Sequence, residues 1–154
     1  STSEVSYEGE LAVVIGRMCK DVAEEDVRKV VLGYTIANDV TARDLQRTDG
    51  QWARAKGFDT FCPLGPWIET ELDPQDCAIR TTVDGEVRQD GHSSDMVHGV
   101  AAVIAYASRA FTLLPGDVIL TGTPAGVGPI TAGQRCEIEI DQIGTLSNPF
   151  VAKD

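Results

Sequence analysis

Glu8 and Glu10 stand two apart in residues 7–15, a run whose apolar positions alternate as in a β-strand. Successive strand side chains point to opposite faces, so both carboxylates share a face with Ala12 and Val14. Two like charges held together under partial shelter repel unless one keeps its proton or a cation lies between them. A hard divalent ion with oxygen ligands suits such a pair. A lysine or arginine filling the gap, or oxygens held well apart, would remove the need for one and with it any chemistry that depends on it. The same residues also read as a solvated edge strand, since Glu-x-Glu is a common pattern.

Further polar groups follow at suggestive spacing. Asp39 ends a second strand-like run, where it either adds a third carboxylate or caps the next helix. Arg43 and Gln46 are three apart and share a helix face. Arginine is suited to a two-pronged hold on a carboxylate. Lys56 is suited to meeting the charge of an enolate or alkoxide. Residues 121–128, read Thr-Gly-Thr-Pro-Ala-Gly-Val-Gly, match neither a P-loop nor a dinucleotide fingerprint. They form either a tight surface turn or a cradle whose backbone N–H groups, with the Thr123 hydroxyl, approach an anion.

These residues need short elements to position them. Strands are expected at 7–15, 32–40, 66–70, 118–121, 136–140 and 148–152. A hairpin is expected at 79–83 and 86–89 around Asp84-Gly85. Helices are expected at 22–31, capped by Asp21 with Glu24, and at 42–47, started by Thr41 with Asp44. The longest helix is expected over 94–111, capped by Ser93 or Ser94, with Val97, Val100, Ala101, Ile104, Ser108 and Phe111 on its apolar face. Residues 48–65 read as loop. The class is α+β, a single domain over 1–154 dominated by short strands.

Composition limits the partners. The 154 residues are 42% hydrophobic and 24% charged, as in a globular protein rather than a disordered chain. The net charge of −11 argues against nucleic acid and against an anionic membrane surface. No apolar run reaches the roughly 18 residues of a membrane span. No signal peptide is visible, so a cytoplasmic protein is expected. Cys19, Cys62, Cys77 and Cys136 show no metal-site spacing and read as reduced thiols, mostly in the core.

Four segments, YEGELAVVIG, LGYTIANDVTARDLQ, DGQWARAKGFDTFCPLGPW and LLPGDVILTGTPAGVG, cover nearly the whole chain in this order. Together they resemble the fumarylacetoacetate hydrolase family. The resemblance implies a mixed roll of β-sheets, the C-terminal catalytic domain of such proteins, usually paired as a homodimer. It implies metal ligands at Glu8, Glu10 and Asp39, holding Mg²⁺ or Mn²⁺, with Ca²⁺ also known. It places the substrate-side arginine and glutamine at Arg43 and Gln46, the active-site lysine at Lys56 and the loop threonine at Thr123. Arg43, Gln46 and Lys56 then carry catalysis, and the same three with Thr123 bind the substrate.

The chemistry implied is that of a small 2-oxo or β-keto acid reacting through a metal-stabilised enolate. Isomerisation, decarboxylation and hydrolysis of a carbon–carbon bond all diverge from it. The segments look most like 2-hydroxyhepta-2,4-diene-1,7-dioate isomerases and related acylpyruvases and decarboxylases. Family members usually carry an upstream segment with a His–Glu base; this sequence starts just before Glu-x-Glu, so it is either a fragment of a longer protein, which is the expectation, or a domain that works without that base. His92 and His98 match no motif position and read as structural or surface residues. The competing reading is a non-catalytic module that binds metal and oxo acid.

Overall fold

The structure, a computed structural model, describes residues 2–152. Strand β1 (Val5–Tyr7) and β2 (Gly9–Ile15) are separated only by Glu8. The run expected over 7–15 is therefore broken at a site residue. Then come β3 (Val31–Asn38), β4 (Thr41–Ala42), helix α1 (Arg43–Asp49), the one-turn helix α2 (Ala53–Lys56) and β5 (Leu64–Glu69). The hairpin β6 (Ala78–Val83) and β7 (Glu86–His92) leads to helix α3 (Val100–Ala110). Strands β8 (Val118–Leu120), β9 (Gly128–Pro129), β10 (Arg135–Ile140) and β11 (Gly144–Pro149) complete the α+β domain.

Two four-stranded sheets form the body, in the orders β5-β3-β2-β8 and β11-β10-β6-β7, with a small sheet β4-β1-β9 beside them. The described strand pairs are antiparallel. The core joins Leu11, Val13 and Ile15 of β2 to Ile36, Ile79, Ile138, Ile140 and Ile104. Each such side chain, fully buried, contributes about 1.5–3 kcal/mol. The opposite face of β2 carries Glu10, Ala12 and Val14, and it is buried as well.

Several boundaries differ from expectation. The helix expected over 22–31 is a 3-10 stretch, Glu24–Lys29. Asp21 sits at φ 52 and Ala23, with no side-chain cap, precedes the turn, so the capping box does not form. Crowded valines at 27, 30 and 31 disfavour a longer helix. Thr41 lies in β4 rather than opening a helix, and Ala42 precedes α1 without a side-chain cap.

The long helix begins six residues late, at Val100 after Gly99, preceded by a separate 3-10 turn, Ser93–Asp95. The Ser93 hydroxyl is taken by the N–H of Cys77 at 3.0 Å, so it caps no helix. Val97 is 92% exposed and Phe111 59%, outside the apolar face assigned to them. The last strand is Gly144–Pro149, shifted toward the N-terminus of residues 148–152. Its pairing of Ile140 with Gly144 fixes a tight connection to β10. All four cysteines are free, and Cys19, Cys77 and Cys136 are buried.

Candidate metal and oxo-acid site

Backbone stapling brings the acidic residues together. Asn38 lies opposite Gly9 in the β2–β3 register. Its side-chain oxygen accepts the N–H of Glu8 at 2.9 Å, and the N–H of Asp39 reaches the Glu8 carbonyl at 2.9 Å. The break between β1 and β2 is thus tied to the end of β3, and Glu8 and Asp39 become neighbours. Glu10 points to the same side from β2. One carboxylate oxygen from each of Glu8, Glu10 and Asp39 lies within 4.8 Å of the others. All three residues are buried. Asp39 caps no helix, and its carboxylate faces the other two instead.

Basic side chains meet two of the three acids. Lys56, at the end of α2, bonds Glu8 at 3.0 Å and also bonds Asp39. Arg43 bonds the other oxygen of Glu8, and its second nitrogen reaches Gln46 at 2.9 Å. Arg43 and Gln46 share the face of α1 that their spacing implied. The basic residue anticipated as an alternative to an ion is therefore present in part. Lys56 lies against Asp39 and Glu8, with the Trp52 ring 5.9 Å away.

Charge decides whether a cation suits the site. Two basic groups face three carboxylates, which leaves one negative charge unbalanced. That charge falls on Glu10, which is 3% exposed and bonds no basic side chain among the described residues. Burial pushes the Glu10 carboxyl up to about 7, against the pull of the Gly122 N–H and helped by Asp39 and Glu8. Burial also raises Asp39, opposed by its bond to Lys56. Burial alone would lower Lys56, but its bonds to Asp39 and Glu8 and their charges outweigh it and raise it. Lys56 is thus a firm ammonium. The donor set is all hard oxygen, so the residues fit a divalent cation such as those of the alkaline-earth type.

The loop 122–128 closes the site from the other side. Past β8 the ladder to β2 continues through side chains: the Thr121 hydroxyl donates to Leu11 O at 2.7 Å and the Thr123 hydroxyl to Gly9 O at 2.8 Å. The N–H of Gly122 donates to Glu10 at 2.7 Å. The loop does receive a carboxylate on its backbone, but the carboxylate is the chain's own. Its glycines also allow close packing. A Cβ on Gly126 would lie 2.0 Å from Arg88 O, and on the facing strand β7 one on Gly91 would lie 2.7 Å from the Pro124 ring. The Tyr7 hydroxyl anchors Gly126 O at 2.8 Å.

The sequence assigns no role to Asn38 or Gln89, whereas the Gly122 amide belongs to the loop read as a possible anion cradle. Gln89 is 1% exposed in β7, paired with Thr81 at inward positions of a hairpin. A glutamine at an inward parity among Ile79 and Val83 is the signal that marks it. His92 ends β7, where its Nδ1 accepts from Ser94, and His98 precedes α3 rather than lying on it.

An antiparallel α+β domain whose acidic cluster is built from the ends of three strands defines the class. The chain belongs to the fumarylacetoacetate (FAA) hydrolase C-terminal family, whose model matches residues 1–151. It is similar to the crystal structure of 2-hydroxyhepta-2,4-diene-1,7-dioate isomerase from Mycobacterium marinum: 58% identity, TM-score 0.98, 99% of this chain and 61% of that one. The 5-carboxymethyl-2-hydroxymuconate delta-isomerase structure from Mycobacterium smegmatis matches at 57% identity and TM-score 0.98, over 100% of this chain and 61% of that one. Oxaloacetate tautomerase YisK of Bacillus subtilis is 45% identical, over 96% of this chain and 52% of that protein. The chain spans 52–61% of the length of these three relatives. No described helix is long and apolar enough to cross a membrane.

Proposed function

We propose that this chain holds Mg²⁺ through Glu8, Glu10 and Asp39 and acts on a small 2-oxo or β-keto acid, as an isomerase, tautomerase or carbon–carbon hydrolase or decarboxylase. The convergence of three buried carboxylates beside Lys56 and Arg43 carries this reading. The names of the relatives, which include two isomerases and a tautomerase, support it.

When bound, the ion supplies Lewis acidity at a keto oxygen. The chain's own groups do the rest. A divalent ion turns the cluster from one excess negative charge to one excess positive charge, which matches an organic anion. Arg43, steadied by Glu8 and Gln46, presents a planar fork to a carboxylate. Gln46 uses its carbonyl oxygen on Arg43 and keeps its NH₂ end for a ligand. Lys56, being an ammonium, donates hydrogen bonds to developing negative charge and does not act as a base.

The test is turnover of oxaloacetate, an acylpyruvate and a 2-hydroxy-dienedioate by the purified chain with Mg²⁺, repeated in EDTA. Metal-dependent conversion of at least one is expected. Failure with all three, despite Mg²⁺ binding, would leave the non-catalytic binding module.

A further inference from the structure

Gln89 joins the site through a hydrogen-bond chain with only one possible direction. Its Oε1 accepts the N–H of Gly9 at 3.1 Å, and its Nε2 reaches Pro124 O at 2.8 Å and Thr123 Oγ1 at 2.7 Å. A backbone N–H only donates and a carbonyl only accepts, so these two contacts fix which end of the amide is nitrogen. Thr123 Oγ1 must then accept from Gln89. The proton of Thr123 goes the other way, to Gly9 O at 2.8 Å. A hydroxyl has one proton and two lone pairs. What Thr123 has left is a single lone pair.

We propose that Thr123, its proton held by Gly9 O and one lone pair by Gln89, is a hydrogen-bond acceptor toward the ligand, so that the site favours a molecule presenting a hydroxyl there over one presenting a bare carboxylate oxygen. An enol or a 2-hydroxy acid has such a donor; a keto oxygen does not. The site would then tell the two tautomers of one oxo acid apart. This rests on the reading above that Thr123, half-buried beside Gly122 and Glu10, faces the ligand.

Two metal-chelating probes separate the possibilities. Glycolate carries a hydroxyl donor; oxalate, ionised at neutral pH, carries none. Binding of each to the chain in Mg²⁺ is measured by calorimetry. In Thr123→Val, glycolate should weaken about tenfold while oxalate stays within about threefold, the size of one net hydrogen bond. In Gln89→Met, Gly9 O still holds the Thr123 proton and only a second lone pair is freed, so the ratio of affinities should stay within about threefold of that of the unmodified chain. A shift of that ratio toward oxalate by about tenfold would mean that Thr123 donates to the ligand, and that result overturns the proposal. Loss of oxalate rather than glycolate in Thr123→Val overturns it too, and that variant decides the matter even if Gln89→Met fails to fold. If the unmodified chain binds neither probe in Mg²⁺, the oxo-acid reading itself fails and this inference goes with it.

Discussion

The backbone N–H of Gly122 points at Oε2 of Glu10 across 2.7 Å, and it is the hydrogen bond that buried carboxylate receives from the described residues. One amide is weak compensation for a carboxylate taken out of water. The strand that supplies Glu10 is therefore destabilised by that residue whenever it ionises without a cation nearby.

The sign of this effect is testable. Glu10 is raised from 4.5 to about 7, chiefly by burial. Between those values the unfolded chain has lost the proton and the folded chain keeps it, so stability falls as pH rises. The whole penalty is present above pH 7 and absent below 4.5. Glu10→Gln keeps the acceptor for Gly122 and removes the charge. In EDTA the variant should gain on the unmodified protein by about 3 kcal/mol between pH 4.5 and pH 8. Urea melts at both pH values check it; a constant difference would mean that Glu10 is paired or hydrated after all.

The same carboxylate ties metal binding to proton release. Near neutrality about half of Glu10 carries a proton that a divalent ion must displace. Mg²⁺ affinity should rise with pH from 6 to 8, with about half a proton released per ion near pH 7. Calorimetry in buffers of different ionisation enthalpy measures this. Asp39→Asn should weaken Mg²⁺ by at least about tenfold, roughly 1.4 kcal/mol, while the melt in EDTA is kept. Unchanged affinity in Asp39→Asn would remove Asp39 from the ligand set.

How much of this was legible depends on the period of each signal. Glu8 and Glu10 sharing a face follows from strand alternation, and Arg43 with Gln46 from helical spacing. Both are local rules; Arg43 does meet Gln46, and the carboxylates of Glu8 and Glu10 converge although the strand breaks at Glu8. The short turn Ala53–Lys56 that carries Lys56 is only four residues long, too short for any period to show, and its sequence reads as loop. The meeting of Lys56 with Glu8 spans 48 residues and depends on how α2 folds back on the sheets. The four family segments supplied these long-range relations where local pattern could not. Gln89 escaped because its partners, Gly9 and the 122–128 loop, lie far away in sequence.

Lys56 gives a prediction in which two roles pull apart. It bonds the same carboxylates that a metal ion would use. Lys56→Met should lower stability in EDTA by about 1–3 kcal/mol, because Glu8 and Asp39 lose a cation in a largely buried setting. Added Mg²⁺ should restore most of that loss, and Mg²⁺ affinity should be equal or higher, since a competitor is gone. Turnover should still fall at least about a hundredfold if the ammonium stabilises developing charge. Weaker Mg²⁺ binding in this variant would show that Lys56 supports the ion rather than competing with it.

The last prediction concerns the loop that holds Gly122 in place. Gly126 has φ 104, and a Cβ there would lie 2.0 Å from Arg88 O, a backbone atom that no side-chain rotation can move. Gly50 also has a positive φ, 69, but nothing lies within 4 Å of its added Cβ. Gly50→Ala should therefore cost only the conformational penalty, about 1 kcal/mol. Gly126→Ala must in addition push the loop off β7, which breaks the Tyr7 and Gln89 contacts and moves the Gly122 amide away from Glu10. It should cost at least about 3 kcal/mol, as overpacking against fixed backbone does, and weaken Mg²⁺ and oxalate binding together. Equal melting temperatures for the two alanine variants would mean that the loop is not clamped against β7, and that Gly122 is aligned with Glu10 by β8 alone.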